Sequence, residues 1–103
     1  MKKELIILTL LLIIYLVTLN EPPLKDINKT VTGDYVRVRG LIKNCATPPR
    51  LTIFTLTNGT DNIKTVFFKQ LQLNNNLRVE VTGRVSDYKG EKELKGVRIK
   101  LLN

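Results

Sequence analysis

The chain has 103 residues, with 17 lysines and arginines against 9 acids, no histidine and one cysteine; its formal net charge is +8. That length allows one small domain. A lone cysteine excludes an intramolecular disulfide framework, and the lack of histidine excludes the zinc sets that mix Cys with His.

Residues 5–19, LIILTLLLIIYLVTL, form an uncharged apolar run of 15 behind Lys2, Lys3 and Glu4. The run fits an uncleaved membrane anchor or the apolar part of a secretory signal, with a buried core helix as a third reading. The stretch VTLNEPP lacks the small-residue pair that signal cleavage uses, and Glu21-Pro22-Pro23 reads as a stiff spacer. Both favour an anchor. Lys2 and Lys3 argue for a cytoplasmic N-terminus and an extracytoplasmic domain, although Lys25, Lys29, Arg37 and Arg39 on the other flank oppose that bias. The expectation is a single-pass membrane protein: residues 1–20 as anchor or signal, 21–34 as spacer and lead-in, and 35–103 as the folded domain. Without residues 1–19, 15 basic and 8 acidic side chains remain, so the domain is drawn to polyanions.

From residue 35 onward the apolar positions alternate with period two, the mark of half-buried strands. The first strand is expected over 35–44, with Val36, Val38 and Ile42 on one face and Arg37 and Arg39 on the other. A Pro-bearing loop, 43–50, carries Lys43, Cys45 and Arg50. The second strand, 51–57, is rich in Thr, Ile and Phe. Asn58-Gly59 in NGTDN then supplies the positive φ of a hairpin leading to a third strand at 63–68. Residues 69–76, KQLQLNNN, have room for one helical turn at most. The fourth strand, 77–85, points Leu77, Val79, Val81 and Val85 inward, and Glu80 between Arg78 and Arg84 partly neutralises its outer face. Residues 86–92 read as a Gly-containing turn. The fifth strand, 94–102, has Val97, Ile99 and Leu101 on one face, Arg98 and Lys100 on the other, and a bulge at Gly96 that puts Leu94 out of phase.

Val-x-Val-x-Gly-x-Ile/Val occurs twice, as Val36-x-Val38-x-Gly40-x-Ile42 and Val79-x-Val81-x-Gly83-x-Val85. Glycine inside a strand marks a sharp bend or a close backbone approach. Five short antiparallel strands bury little while flat, so the expected all-β fold is a closed barrel with Gly40 and Gly83 at corners. An open meander of unrelated strands is the alternative.

In order and spacing these elements resemble the OB-fold modules of the tRNA-anticodon-binding type, over about 27–103. That family has a Leu-x-Asp-Gly-x-Gly-x-Ile hairpin between strands two and three and a Tyr-x-Gly turn between strands four and five. The hairpin aspartate corresponds to Asn58, a departure, and the helix between strands three and four is shrunk to 69–76. A short N-terminal apolar segment before an OB barrel also resembles the haem chaperone of cytochrome c maturation. That family holds haem through a histidine, which this chain lacks, so no cofactor is expected.

OB barrels bind oligonucleotides or oligosaccharides across strands two and three, between the loops joining strands one to two and four to five. The candidates are therefore Lys43, Arg50, Tyr88, Lys89 and Lys92 in the loops, Lys64 on strand three, and Arg37 and Arg39 on strand one. Phe54 and one of the consecutive Phe67 and Phe68, taken as Phe68, are the candidate stacking platforms, because alternation lets only one of the pair easily face the core. Which one is exposed stays open, and a bulge burying both, or cover from 69–76, is the alternative. The chain offers no Ser/His or Cys/His pairing, and its acids are scattered, so it reads as a non-enzyme. The leading expectation is a membrane-tethered module for single-stranded nucleic acid with little sequence preference. The alternative is an extracytoplasmic protein–protein or envelope-assembly module.

Overall fold

A computed structural model of the protein describes residues 2–19 and 21–102, with side chains for 2–16 and 21–102. Met1, Asn20 and Asn103, which bound the expected segments, lie outside the described residues. The elements are a helix α1 (Lys2–Leu19), a 3₁₀ turn (Ile27–Lys29), and strands β1 (Tyr35–Ala46), β2 (Thr52–Thr57), β3 (Asn62–Phe67), β4 (Arg78–Tyr88) and β5 (Glu91–Leu102).

Helix α1 corrects the membrane reading: among the described residues, no helix is long and apolar enough to cross a membrane. Its 18 residues include Lys2, Lys3 and Glu4. The 15 apolar residues left rise about 22 Å at 1.5 Å each, short of a hydrocarbon core of about 30 Å. An anchor at 5–19 and a single-pass membrane location are therefore set aside, and with them the topology argument that placed the domain on the extracytoplasmic side.

The five strands close into a barrel in the order β1-β2-β3-β5-β4 and back to β1. All pairs are antiparallel except β3 with β5, which run parallel through Lys64↔Glu93, Thr65↔Leu94 and Val66↔Lys95. That parallel seam departs from the all-antiparallel expectation. It follows from the 69–77 crossing, which carries the chain past a neighbour before it turns back.

The repeated motif explains the first corner. Its two copies pair with each other, Val36 opposite Gly83, Val38 opposite Val81 and Gly40 opposite Val79. Each glycine faces a valine of the other copy. At Leu41 strand β1 is paired with both β4 (Arg78) and β2 (Thr57), so it changes partner there. A Cβ on Gly40 would come within 2.7 Å of the Thr57 carbonyl oxygen. A Cβ on Gly83 would come within 2.3 Å of the Lys95 carbonyl oxygen. Beside Gly83 the β4–β5 register shifts, Thr82 facing Arg98 and Gly83 facing Gly96, so Val97 is the extra residue of a bulge and is exposed. The space at Gly96 is filled by the Phe67 ring, whose atoms would lie 2.3–2.6 Å from an added Cβ.

Inside the barrel, Val36, Val38, Ile42, Phe54, Leu56, Ile63, Phe67, Val79, Val81, Val85 and Leu94 form one buried cluster. Phe54 and Phe67 stack within it, ring centroids 6.2 Å apart. Ile27 of the 3₁₀ turn joins this cluster, and Leu71, Leu73 and Leu77 pack against it. The crossing is extended rather than helical, ending in a turn at Asn75–Asn76. Its leucines do the covering that the family's helix would do. Thr52 fastens it, Oγ1 donating to the Lys69 carbonyl at 2.8 Å and accepting the Leu71 amide at 2.8 Å. On the other flank, the lead-in pairs with the first half of β1, whose outer edge the corner leaves free: Leu24 bridges Arg37 in parallel, and the Arg37 amide donates to the Pro23 carbonyl at 2.8 Å.

Candidate nucleic-acid interface

By alternation, the residues of β2 and β3 that point away from the core are Ile53, Thr55 and Thr57 on one strand and Asn62, Lys64 and Val66 on the other. They sit in register, Ile53 opposite Val66 and Thr55 opposite Lys64. A groove of about 630 Å³ runs over this face, lined also by Asn44 and by Glu91 and Lys92 at the start of β5. Asn44 reaches it from a bulge in β1 between Lys43 and Ala46, where it takes a φ of 53°. Left-handed backbone is tolerated best by Asn among non-glycine residues.

One wall is longer than expected. Residues 86–92 are a hairpin arm rather than a loose turn, with Ser86↔Glu93, Asp87↔Lys92 and Tyr88↔Glu91 paired. Only Lys89 and Gly90 remain at the tip, with φ of 54° and 85°, and the Gly90 amide donates to Asp87 Oδ1 at 2.9 Å. This two-residue tip presents Tyr88, 56% exposed. The ammonium groups of Lys64 and Lys89 lie 5.7 and 5.4 Å from its ring centroid, within cation–π range. Lys92 is less free, since Nζ donates to the Thr30 carbonyl at 2.7 Å and so ties the arm to the lead-in.

The two phenylalanines named as platforms separate. Phe68 is 67% exposed, whereas Phe54 is 1% exposed and belongs to the core. Phe54 as a stacking surface is corrected: it shares strand parity with Leu56 and faces inward. At the opposite wall Arg50 is exposed with a φ of 65°. Lys43 Nζ donates to Asn76 Oδ1, and the Cys45 amide donates to Asn75 Oδ1 at 3.0 Å, so the Asn-rich crossing braces this loop. Burial pushes the Cys45 thiol above its ordinary value, and it is a packing residue rather than a reactive one.

Arg37 and Arg39 do not join the groove. They point from β1 onto the opposite face of the barrel, made by β1, β4 and β5. Both meet Glu80 Oε1, Arg39 Nε at 3.0 Å and Arg37 Nη1 at 3.6 Å. Arg37 Nε also donates to the Pro22 carbonyl at 2.8 Å. The 8%-exposed Glu80 therefore holds the two arginines across the strand, rather than balancing Arg78 and Arg84 on its own strand. Arg84 instead sits 5.5 Å from the Tyr35 ring and donates to the Gly33 carbonyl at 3.0 Å.

The hairpin between β2 and β3 keeps its geometry despite Asn58. Its Oδ1 accepts the amides of Thr60 and Asp61 at 2.9 and 2.7 Å, and Gly59 takes a φ of 95°. A side-chain oxygen is all that turn requires, and asparagine supplies it as aspartate would.

A barrel with this strand order, this hairpin and this groove has a match among known families. Residues 36–102 fit the tRNA anti-codon family model, described as "OB-fold nucleic acid binding domain". The chain belongs to that family. No curated protein matches it by sequence. Solved structures share its fold at low identity. The OB domain of Ta0387 from Thermoplasma acidophilum superposes with a TM-score of 0.67 at 22% identity, over 79% of this chain and 88% of that one. The second OB-fold domain of replication protein A from Methanococcus maripaludis gives 0.66 at 12%, over 77% and 94%. A chain of the S. pombe Stn1-Ten1 complex gives 0.60 at 17%, over 66% of this chain. This chain spans 57% of that last one, and 22% of the asparaginyl-tRNA synthetase from Pyrococcus horikoshii that it also resembles.

Proposed function

We propose that this OB module binds single-stranded nucleic acid across the β2–β3 groove, with little sequence preference and without catalysing a reaction. The observation that carries the reading is Tyr88, a half-exposed ring at the end of a paired hairpin arm with two ammonium groups beside it. A base stacked on Tyr88 would displace an ammonium from the ring, and that ammonium is then placed to meet the adjoining phosphate. Phe68 offers a second ring at the far end of β3, four residues beyond Lys64 or about 13 Å along the strand. Between them the groove floor is Ile53, Thr55, Asn62 and Lys64, which supplies contact area and few directional demands. Stacking on exposed rings is tolerant of base identity because every base has a π-face.

Fluorescence anisotropy of the full chain with a labelled 15-nucleotide oligo(dT) across a salt series tests this. Expected is micromolar or tighter affinity at low salt, weakening linearly in log–log coordinates. Tyr88→Ala should weaken it by about 5- to 150-fold, the span that 1–3 kcal/mol per stacked base implies, while Tyr88→Phe keeps most of it. An affinity indifferent to Tyr88→Ala, or no binding at low salt, would sink the proposal and turn attention to a protein partner.

A further inference from the structure

Most of the excess positive charge of this domain lies away from its groove. Along the β4–β5 wall of the groove Lys64, Lys89 and Lys92 are matched in number by Asp87, Glu91 and Glu93, which leaves Lys43 and Arg50 of the opposite wall as its surplus. The outer face of β1, β4 and β5 is different. Strand register stacks its outward residues in rows: Tyr35, Arg84 and Lys95; then Arg37, Thr82 and Arg98; then Arg39, Glu80 and Lys100; then Leu41, Arg78 and Leu102. Seven cations share these rows with one carboxylate, Glu80, and Glu21 of the lead-in stands at the edge of the surface.

The cations fall into two sets. Glu80 fixes Arg37 and Arg39 in place but neutralises only one of them. The side chains of Arg78, Lys95, Arg98 and Lys100 are exposed and make no ion pair or hydrogen bond among the described residues. The face is also concave: a hollow of about 320 Å³ lies over Tyr35, Arg37, Thr82, Arg98 and Lys100, with Glu21 and Pro22 of the lead-in as one wall. The one ring on it, Tyr35, is 40% exposed, and the Arg84 guanidinium lies 5.5 Å from its centroid, held there by its bond to the Gly33 carbonyl.

We infer that this β1–β4–β5 face is a second nucleic-acid contact surface, one that takes the phosphate backbone and reads no bases. Its residue types select that ligand. Arginine predominates, and its planar fork matches phosphate oxygens. Charge fills the centre of the face, where protein–protein interfaces are depleted of it. Side chains repeat about 6.8 Å along a strand and about 4.8 Å across strands, a lattice of cations suited to a line of phosphates. With its one ring already engaged by a guanidinium, the face offers an unstacked base less than the groove does, so a duplex serves it as well as a single strand. The inference shares only its ligand class with the groove reading.

A labelled 20-base-pair DNA duplex separates the two faces, since it offers phosphates and no splayed bases. With the full chain, Arg78→Gln/Arg98→Gln/Lys100→Gln should lower duplex affinity more than tenfold. It should also flatten the log K against log salt slope by about 2.7, at about 0.9 for each phosphate that is no longer neutralised. Tyr88→Ala/Phe68→Ala should leave duplex binding unchanged while weakening oligo(dT). The single charge reversal Lys100→Glu, expected to weaken duplex binding more than Lys100→Gln, guards against a folding defect in the triple variant. Duplex affinity and slope untouched by the triple variant would overturn the second surface and leave the groove reading intact. Poly-glutamate binding as tightly as the duplex would overturn it in favour of an acidic protein. A groove variant that loses neither oligo(dT) nor duplex, beside a triple variant that loses both, would sustain this surface and remove the groove.

Discussion

The two outer faces of the barrel use the same strands' alternation for opposite purposes. The β2–β3 face carries a groove with a small charge surplus and a rim that holds two exposed rings, Tyr88 and Phe68. The β1–β4–β5 face carries most of the domain's excess charge, and its one ring, Tyr35, is engaged by the Arg84 guanidinium. A net charge alone would have merged them. Separating them assigns stacking to one side and phosphate attraction to the other, and makes the two contributions independently removable.

The largest effect should come from the shared core, where both faces fail together. Phe54→Ala removes a ring that is 1% exposed and stacked on Phe67, and should cost about 3–5 kcal/mol of folding stability. Phe68→Ala, next in the chain to the buried Phe67 but outside the barrel, should change stability by less than about 0.5 kcal/mol. Urea denaturation of the two variants checks this directly. Equal losses would mean that Phe68 is structural and would remove it from the groove.

Next comes Gly83→Ala. Its added Cβ meets backbone rather than a yielding side chain, 2.3 Å from the Lys95 carbonyl oxygen, so β4 and β5 must separate at the bulge. Overpacking of this kind costs about 1–3 kcal/mol, or roughly 4–8 °C in Tm for each kcal/mol in a domain of this size. Because the bulge sets where Arg98 and Lys100 sit relative to Thr82 and Glu80, duplex binding should suffer more than oligo(dT) binding. Thermal melts alongside both binding assays measure the difference.

Much of this architecture was legible in the chain. The repeated Val-x-Val-x-Gly motif marks its own corners, because a buried glycine in an otherwise β-branched strand has few other reasons to exist. The split of Phe67 and Phe68 followed from alternation alone. Phe54 was legible too, since Phe54 and Leu56 share one face of β2 and Thr55 and Thr57 the other; aromatic character drew it outward wrongly. The hairpin arm was not legible. Residues 86–92 are polar because that arm pairs only with itself beyond the barrel, and a strand with no core beneath it has no period to show. The pairing of Glu80 with Arg37 and Arg39 needed strand register, which the twin motif implies only once its two copies are known to face each other. The apolar run at 5–19 looked like an anchor by composition, and length in ångströms decides against it.

Glu80→Gln sharpens the contrast between faces with a smaller perturbation. Removing the buried carboxylate weakens its charge-assisted bonds to both arginines, and stability should fall by about 1–2 kcal/mol. The same change makes the β1–β4–β5 face more positive by one charge, so duplex affinity should rise as stability drops, while oligo(dT) held in the groove should gain less. Stability and affinity moving in the same direction would mean that Glu80 orders the arginines for binding rather than merely offsetting them.

The smallest effect concerns the strap that gives the cationic face its concave edge. Asp34 accepts the Val31 amide at 3.0 Å and the Lys25 ammonium at 3.1 Å. These bonds, the backbone one first, hold its carboxyl below the ordinary 3.8. A carboxyl held low in the folded state adds stability above its unfolded value and gives it up as pH falls through the folded one. Wild type should therefore exceed Asp34→Asn in Tm from neutral pH down to about 4, and the gap should close on further acidification. The asparagine of that variant can still accept the Val31 amide, though without the charge that strengthens the bond, and cannot form an ion pair with Lys25, so the gap at neutral pH reports the carboxylate's charge toward both partners. A gap that stays constant down to pH 2 would show that the strap is held by the backbone pairing of residues 23–25 with Arg37 and owes nothing to the titrating carboxyl.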